Sequence, residues 1–325
     1  MGEGRTALPL PPMGRYLGRR LLALPLTLLA VAFAIFLLLS VVPGDPARLI
    51  VGPEATEEAY QAARARLGLD LPWPIRFGHW LGGIVRGDFG RSLSLDLSIS
   101  GLIGSALSVT VPLALLAMAT ALVIAIPLGM AAATRPGSWL DLATMGLAQL
   151  GMALPEFWLG ILLVGFLAVR AGLFPAGGFP GWSQAGPALD HLILPALALA
   201  LPRAAYLARM TRAAMADVLS AGYIQTARGK GVSELRVLAW HALRNALIPV
   251  VTTAGLTLGH LFAGAIVIEN LFYLPGLGRL ALMAVRARDL PLLSGVGLVV
   301  AGLMVTLSFA VDLVYGLLDP RIRYQ

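Results

Sequence analysis

Apolar residues in this chain come in long runs, at Leu21–Val42, Ser105–Ala133, Leu142–Val169, about Leu192–Ala208, Ala246–Ile268 and Pro291–Leu318. A helix needs about 20 such residues to cross the hydrocarbon core of a bilayer. The pattern therefore predicts an all-α integral membrane protein with six transmembrane helices, which puts both termini on the same side. The fourth run is the weakest, since Pro195, Pro202 and Arg203 interrupt it; proline removes a backbone donor and kinks a helix, a cost that neighbouring helices absorb in a bundle. The first run follows Arg15, Arg19 and Arg20 and is too long for the apolar part of a cleaved signal peptide, which is about 7–15 residues, so it is read as a retained helix.

Two polar segments interrupt the apolar pattern. The first, residues 43–104, contains "PEATEEAYQAARARLGLD", with Glu57 and Glu58 near the start of a predicted helix, Arg64 and Arg66 near its end and Gly68 just beyond. That order suits the helix dipole and a left-handed stop. The second, residues 209–245, is basic and helix-prone. The division that follows is a short N-terminal piece (1–20), a first span (21–42), an extramembrane loop domain (43–104), a five-helix core (105–318) holding the polar loop 209–245, and a C-terminal piece (319–325).

Composition agrees with a membrane chain: 58% of the 325 residues are hydrophobic, 13% are charged and the mean hydropathy is +0.82, against roughly a quarter charged in soluble domains. The formal net charge of +7 would suggest nucleic acid in a soluble protein. Here the basic residues cluster beside apolar spans, the positive-inside pattern, and no nucleic-acid partner is expected. With six spans, fourteen Lys and Arg residues fall in the N-terminal piece, the loops on its side and the C-terminal piece, against Arg170, Arg279, Arg286 and Arg288 in the opposite loops beyond 43–104. The N- and C-termini are accordingly placed in the cytoplasm and residues 43–104 outside. Arg203 is counted among the cytoplasmic residues. There is no cysteine, which excludes disulfides and thiolate chemistry.

Catalytic signals are missing. The stretch "ARGKGV" has Gly229 and Lys230 but lacks the remainder of a phosphate-cradling loop. The histidines His79, His191, His241 and His260 do not fall at metal-ligand spacing, and no carboxylate pair shares a helical register within a span. No enzyme activity, metal or cofactor is expected of the chain itself. Glu156 and His260 lie deep in apolar runs, where ionisable side chains are costly, and are the candidate residues of a translocation path.

The polar loop contains "YIQTARGKGVSELRVLAWHALRNALIPVV". Tyr223, Ile224, Thr226, Ala227, Arg228, Lys230 and Gly231, followed by His241, Ala242, Leu243, Arg244, Asn245, Ala246 and Pro249, resemble the cytoplasmic loop of membrane subunits of ATP-binding-cassette importers, in their peptide and nickel branch. "VVPGDPA", "LGLDLPWPIRFGHWL", "GDFGRSL", "LPEFW", "ENLFYLPGLGR" and "LDPRIR" extend the likeness over nearly the whole chain. Gln225 and Arg244 depart from the wider family and agree with that branch.

The resemblance implies a type I importer permease core with an added N-terminal helix and outer loop domain, in a bacterial or archaeal cytoplasmic membrane. Its partners would be a second, homologous permease, two ATPase subunits that bind the ATP, an extracytoplasmic solute-binding protein and membrane lipid. Tyr223, Thr226, Ala227, Arg228, Lys230 and Gly231 would form the coupling helix that docks on an ATPase, with Ala227 small enough to lie close to the partner, Arg228 and Lys230 pairing with its acidic groups, and Gly231 providing a left-handed exit. Peptides are the expected cargo; nickel chelates, glutathione and oligosaccharides are carried by the same architecture. A secondary transporter driven by an ion gradient would need buried ionisable relays and internal repeats. The chain offers only Glu156 and His260 and no repeat.

Overall fold

The computed structural model describes residues 13–41, 46–52, 55–66 and 68–318. The two ends (1–12 and 319–325) and residues 42–45, where the outer loop was expected to begin, lie outside the described residues. The helices are α1 (Met13–Val41), α2 (Pro46–Val51), α3 (Glu57–Arg66), α4 (Trp73–Val85), α5 (Ile99–Thr134), α6 (Trp139–Ala153), α7 (Glu156–Leu163), α8 (Ala185–Leu219), α9 (Gly222–Gly229), α10 (Glu234–Arg236), α11 (Leu243–Leu271), α12 (Leu277–Arg286) and α13 (Leu290–Leu318). Two π-helical stretches, Val164–Arg170 and Val237–Ala242, extend α7 and join α10 to α11. Five helical runs are long and apolar enough to cross a membrane: Leu21–Leu38 within α1, α5, α8, Glu234–Leu271 ending with α11, and Leu290–Val311 within α13.

The third predicted span is not a single helix. α6 and the Glu156–Arg170 helix meet at an angle of 102°. Leu154 and Pro155 both have extended backbone there, because proline has no N–H to donate and its ring pushes the preceding residue out of the helical region. By contrast the run expected to be weakest is continuous for 35 residues, with Pro195 and Pro202 inside it and buried. α8 tolerates them because it stands at the centre of the bundle, packed on α5, α6 and α11.

Small residues let α8 take that place. Ala117, Ala121 and Ala125 of α5 and Ala198, Ala200 and Ala204 of α8 are buried in one cluster with Leu261 and Ile268 of α11. A Cβ on Gly129 would come 2.6 Å from the carbonyl oxygen of Ala208 and from the Cβ of Thr211, so the two backbones touch. Lipid removes the hydrophobic drive between helices and leaves close packing to hold them.

One polar tie fixes the end of the bundle where α11 meets α12. The carboxylate of Glu269, fully buried, accepts hydrogen bonds from Thr110 Oγ1 (2.6 Å) and from the N–H groups of Gly278 (2.7 Å) and Arg279 (3.2 Å), while Thr110 Oγ1 accepts from the N–H of Leu277 (2.8 Å). The first-turn donors of α12, which have no partner within their own helix, are thus satisfied by the buried Glu269 carboxyl group and the Thr110 hydroxyl.

Between α1 and α5, α3 begins at Glu57 and ends at Arg66, and Gly68 follows with φ +65°. Residues 88–98 are tied to the bundle by Asp289, which accepts from Ser92 Oγ (2.6 Å), Ser94 Oγ (2.8 Å) and Ser94 N–H (3.0 Å) and caps α13 through the N–H of Leu292 (3.0 Å).

Candidate functional site

The polar loop folds into a compact platform at one end of the bundle. Ile224 of α9 is fully buried against Met215 of α8, Val237, Ala242 and Ala246, which seats α9 across the end of α8. Residues three and four apart share a helix face, so Tyr223, Thr226 and Lys230 lie together on the exposed side. Asn245 donates to the Tyr223 hydroxyl (2.8 Å), linking α9 to α11. The exit is a left-handed turn: Gly231 has φ +76°, Gly231 N–H bonds Arg228 O (2.9 Å) and Val232 N–H bonds Ala227 O (3.2 Å).

Two residues of this loop have partners within the chain. Ala227 is half-buried and packs inward on the Ile224 cluster, so its small size serves the platform's own packing. Arg228 turns along the platform to Glu234, with Nη2 at 2.6 Å and Nε at 3.1 Å, and is committed within the chain. Lys230 stays exposed. The sequence reading also missed Leu235 and Trp240, which are 75% and 68% exposed beside α9. Their apolar character was legible, but only the fold turns them outward.

The second group lies inside the bundle. The bend at Pro155 places Glu156 at the start of α7, where it pairs with Arg203 of α8. Arg203 was counted as cytoplasmic; it lies well within α8, and its Nε is buried with no hydrogen-bond partner. Gly264 of α11 faces the Glu156 carboxylate so closely that no Cβ would fit. His260 lies one turn earlier on α11, exposed and near enough to Glu156 to interact electrostatically. The fold therefore pairs Glu156 of α7 with Arg203 of α8, with Gly264 of α11 against the carboxylate and His260 exposed one turn away. Among the described residues no group of three His, Asp or Glu side chains could hold a metal ion.

Known proteins resemble the chain over most of its length. Residues 125–324 match the family described as the binding-protein-dependent transport system inner membrane component, and residues 13–96 match the family of the N-terminal part of such components. A Brucella abortus chain named for the permease of a peptide transport system is 45% identical over 310 residues, covering 93% of this chain and 96% of that one. The glutathione transport system permease protein GsiC of Salmonella typhimurium is 41% identical over 313 residues, 96% of this chain and all of that one. A solved structure of the methionine transporter MetNI in inward-facing conformations superposes with a TM-score of 0.57 over 67% of this chain and 96% of that chain, at 20% identity, a likeness of fold alone.

The chain belongs to the family of inner membrane components of binding-protein-dependent transport systems. It is a multi-pass permease of the ATP-binding-cassette importer class, a class that works with ATPase and substrate-binding partners.

Proposed function

We propose that the chain is one of two homologous permease subunits that enclose a path for peptides across the cytoplasmic membrane, with two ATPase subunits on one face and a solute-binding protein on the other. The observation that carries the reading is the platform at the end of α8: a rigid helix, α9, fixed by a buried isoleucine, with Tyr223, Thr226, Lys230, Leu235 and Trp240 turned outward. Such a surface transmits force, because α9 cannot move without moving α8 and α11. An exposed tryptophan and leucine beside a lysine give it the apolar anchors and rim charge of a protein interface. Peptide cargo is favoured by the peptide and glutathione systems named for the relatives, glutathione being itself a small peptide. Glu156, Arg203 and His260 line the path in this reading, and residues 46–98 lie on the binding protein's side of the membrane.

The test uses the reconstituted complex. Trp240→Glu and Leu235→Glu are expected to release the ATPase subunits, and Gly231→Val to leave them bound but unresponsive, with membrane insertion intact in all three. ATPase activity with and without loaded binding protein decides it; wild-type stimulation in the three variants would remove this surface from the coupling path. The orientation has its own check. Single cysteines at Glu57 and Ser233 should react with a membrane-impermeant thiol reagent from opposite faces, Ser233 from the cytoplasm, and labelling of both from one face would refute it.

A further inference from the structure

Helix α4 is built for a surface that is neither water nor protein core. None of its residues is buried, yet Trp73, Phe77, Trp80, Leu81 and Ile84 share one face at helical spacing. That face meets α1. Phe33 lies against Trp73 and Phe77, with ring centroids 6.1 and 5.4 Å apart, and Phe36 against Phe77 and Trp80, at 5.3 and 5.9 Å.

The register of α1 on α13 gives the depth of that contact. Ile35 faces Gly297 and Leu28 faces Gly302, so Phe33 is level with the third turn of α13. At 1.5 Å per residue this is about 12 Å below the first residue of α13, and about 7 Å short of Leu38, beyond which the apolar run of α1 continues to Val42 in the sequence. A helix in water would not reach that level.

The remaining faces of α4 fit the same depth. Ile75 and Val85, 46% and 80% exposed, lie off the face that meets α1, and Leu37 and Leu38 of α1 are exposed as well. Arg76 and His79, one turn apart, line a cavity of about 800 Å³ between α4, the start of α13 and residues 88–96, with His79 one turn beyond Ile75 on the same side of the helix. Of the other charged groups there, Arg91 is paired with Asp96 at 3.0 Å and Asp88 accepts from Gly90 N–H at 2.8 Å. The Arg76 guanidinium lies over the Phe36 ring, 5.9 Å from its centroid, and among the described residues neither Arg76 nor His79 makes an ion pair.

We propose that α4 is an interfacial helix seated in the bilayer leaflet on the side of residues 46–98, with Ile75 and Val85 among acyl chains and with Arg76 and His79 holding the phosphate of a phospholipid headgroup. An interfacial helix buries its apolar face about 5–10 Å below the headgroups, with tryptophans at that boundary. The loop domain is then anchored by lipid as well as by the bundle. This inference does not depend on the cargo or on the coupling surface.

The absence of cysteine makes single-site labelling direct. Nitroxide labels at Ile75, Val85 and Asp96, in the complex reconstituted into vesicles of phosphatidylethanolamine and phosphatidylglycerol, are compared by collision with oxygen, which partitions into lipid, and with a water-soluble nickel chelate. Oxygen is expected to dominate at Ile75 and Val85 and nickel at Asp96. Nickel access at Ile75 and Val85 equal to that at Asp96 would place α4 in water, and shielding from both reagents would place it under a partner protein; either result overturns the proposal. Adding Arg76→Glu and His79→Ala to the Ile75-labelled chain is expected to raise nickel access there, and no change would overturn the headgroup contact.

Discussion

Arg212 of α8 grips Asp141 of α6 with two donors, Nη2 at 2.8 Å and Nε at 3.0 Å, while Gly137 N–H donates to the same carboxylate at 2.9 Å. Ser138 caps α6 through the N–H of Asp141 (3.3 Å), so one carboxylate sets both the start of α6 and its place on α8. Along α5 this tie, level with Gly129, lies roughly 28 Å from the Glu269 tie at Thr110, close to the thickness of the apolar bilayer.

Removing the Arg212 fork leaves a buried carboxylate with its backbone donor alone. Arg212→Gln is expected to cost about 1.5–3 kcal/mol, the range for hydrogen bonds to charged groups, and Arg212→Lys nearly as much, since lysine cannot supply two parallel donors. The check is the thermal midpoint of the detergent-solubilised protein, with Asp141→Asn combined with Arg212→Gln recovering part of the loss. Additive losses in the double variant would show that the two residues act independently.

At the other end, Thr110→Val removes a donor to Glu269 and an acceptor for Leu277 N–H together. The expected loss is about 1–3 kcal/mol. Glu269→Gln can keep an oxygen toward the Gly278 and Arg279 N–H groups and turn its NH₂ to the Thr110 hydroxyl, so it should cost less than Thr110→Val. Gly276 lies directly against the Glu269 carboxyl, with no room for a Cβ, whereas a Cβ on Gly186 would meet nothing within 4 Å. Gly276→Ala should therefore lower the midpoint and Gly186→Ala should not.

Uptake measured with neutral and cationic peptides tests the group within the bundle. Glu156→Gln leaves Arg203 without its counter-ion, and Gly264→Ala forces the Glu156 carboxylate to move; both are expected to reduce uptake, with Glu156→Gln changing the preference between the two peptides. An unchanged preference with reduced uptake would assign the pair to holding the bend at Pro155 and remove it from cargo contact.

Asp289 links pH to the loop domain. Burial acts to raise its pKa, but hydrogen bonds from Ser92, Ser94 and Leu292 outweigh it and hold the carboxyl below its ordinary 3.8. A depressed folded-state pKa gives stability that is fully present above the unfolded value and lost as pH falls through the folded one. Amide protection of residues 88–98, corrected for intrinsic exchange, should therefore be constant from pH 7 to pH 5 and weaken below pH 3.8. In Asp289→Asn it should be weak throughout, and equal protection in the variant at pH 7 would exclude this tie.

The sequence by itself determined the elements that depend on local composition. Apolar runs of sufficient length can only be helices in lipid, where every backbone group must be paired within its own segment, and the acidic start, basic end and glycine stop of α3 are read from neighbours along the chain. Gly231 was legible for the same reason, as a helix exit needing φ above zero. Tertiary structure decided what depends on partners distant in the chain. Pro155 breaks its helix while Pro195 and Pro202 do not, because α8 is enclosed by α5, α6 and α11 and the break at Pro155 lets Glu156 reach Arg203. Arg203 reads as a loop arginine until α7 brings a carboxylate to it. Ala227 turns inward and Trp240 outward because Ile224 finds its pocket against Met215 and Val237, and the place of α4 follows from its contact with Phe33 and Phe36, 40 residues and more away in the chain.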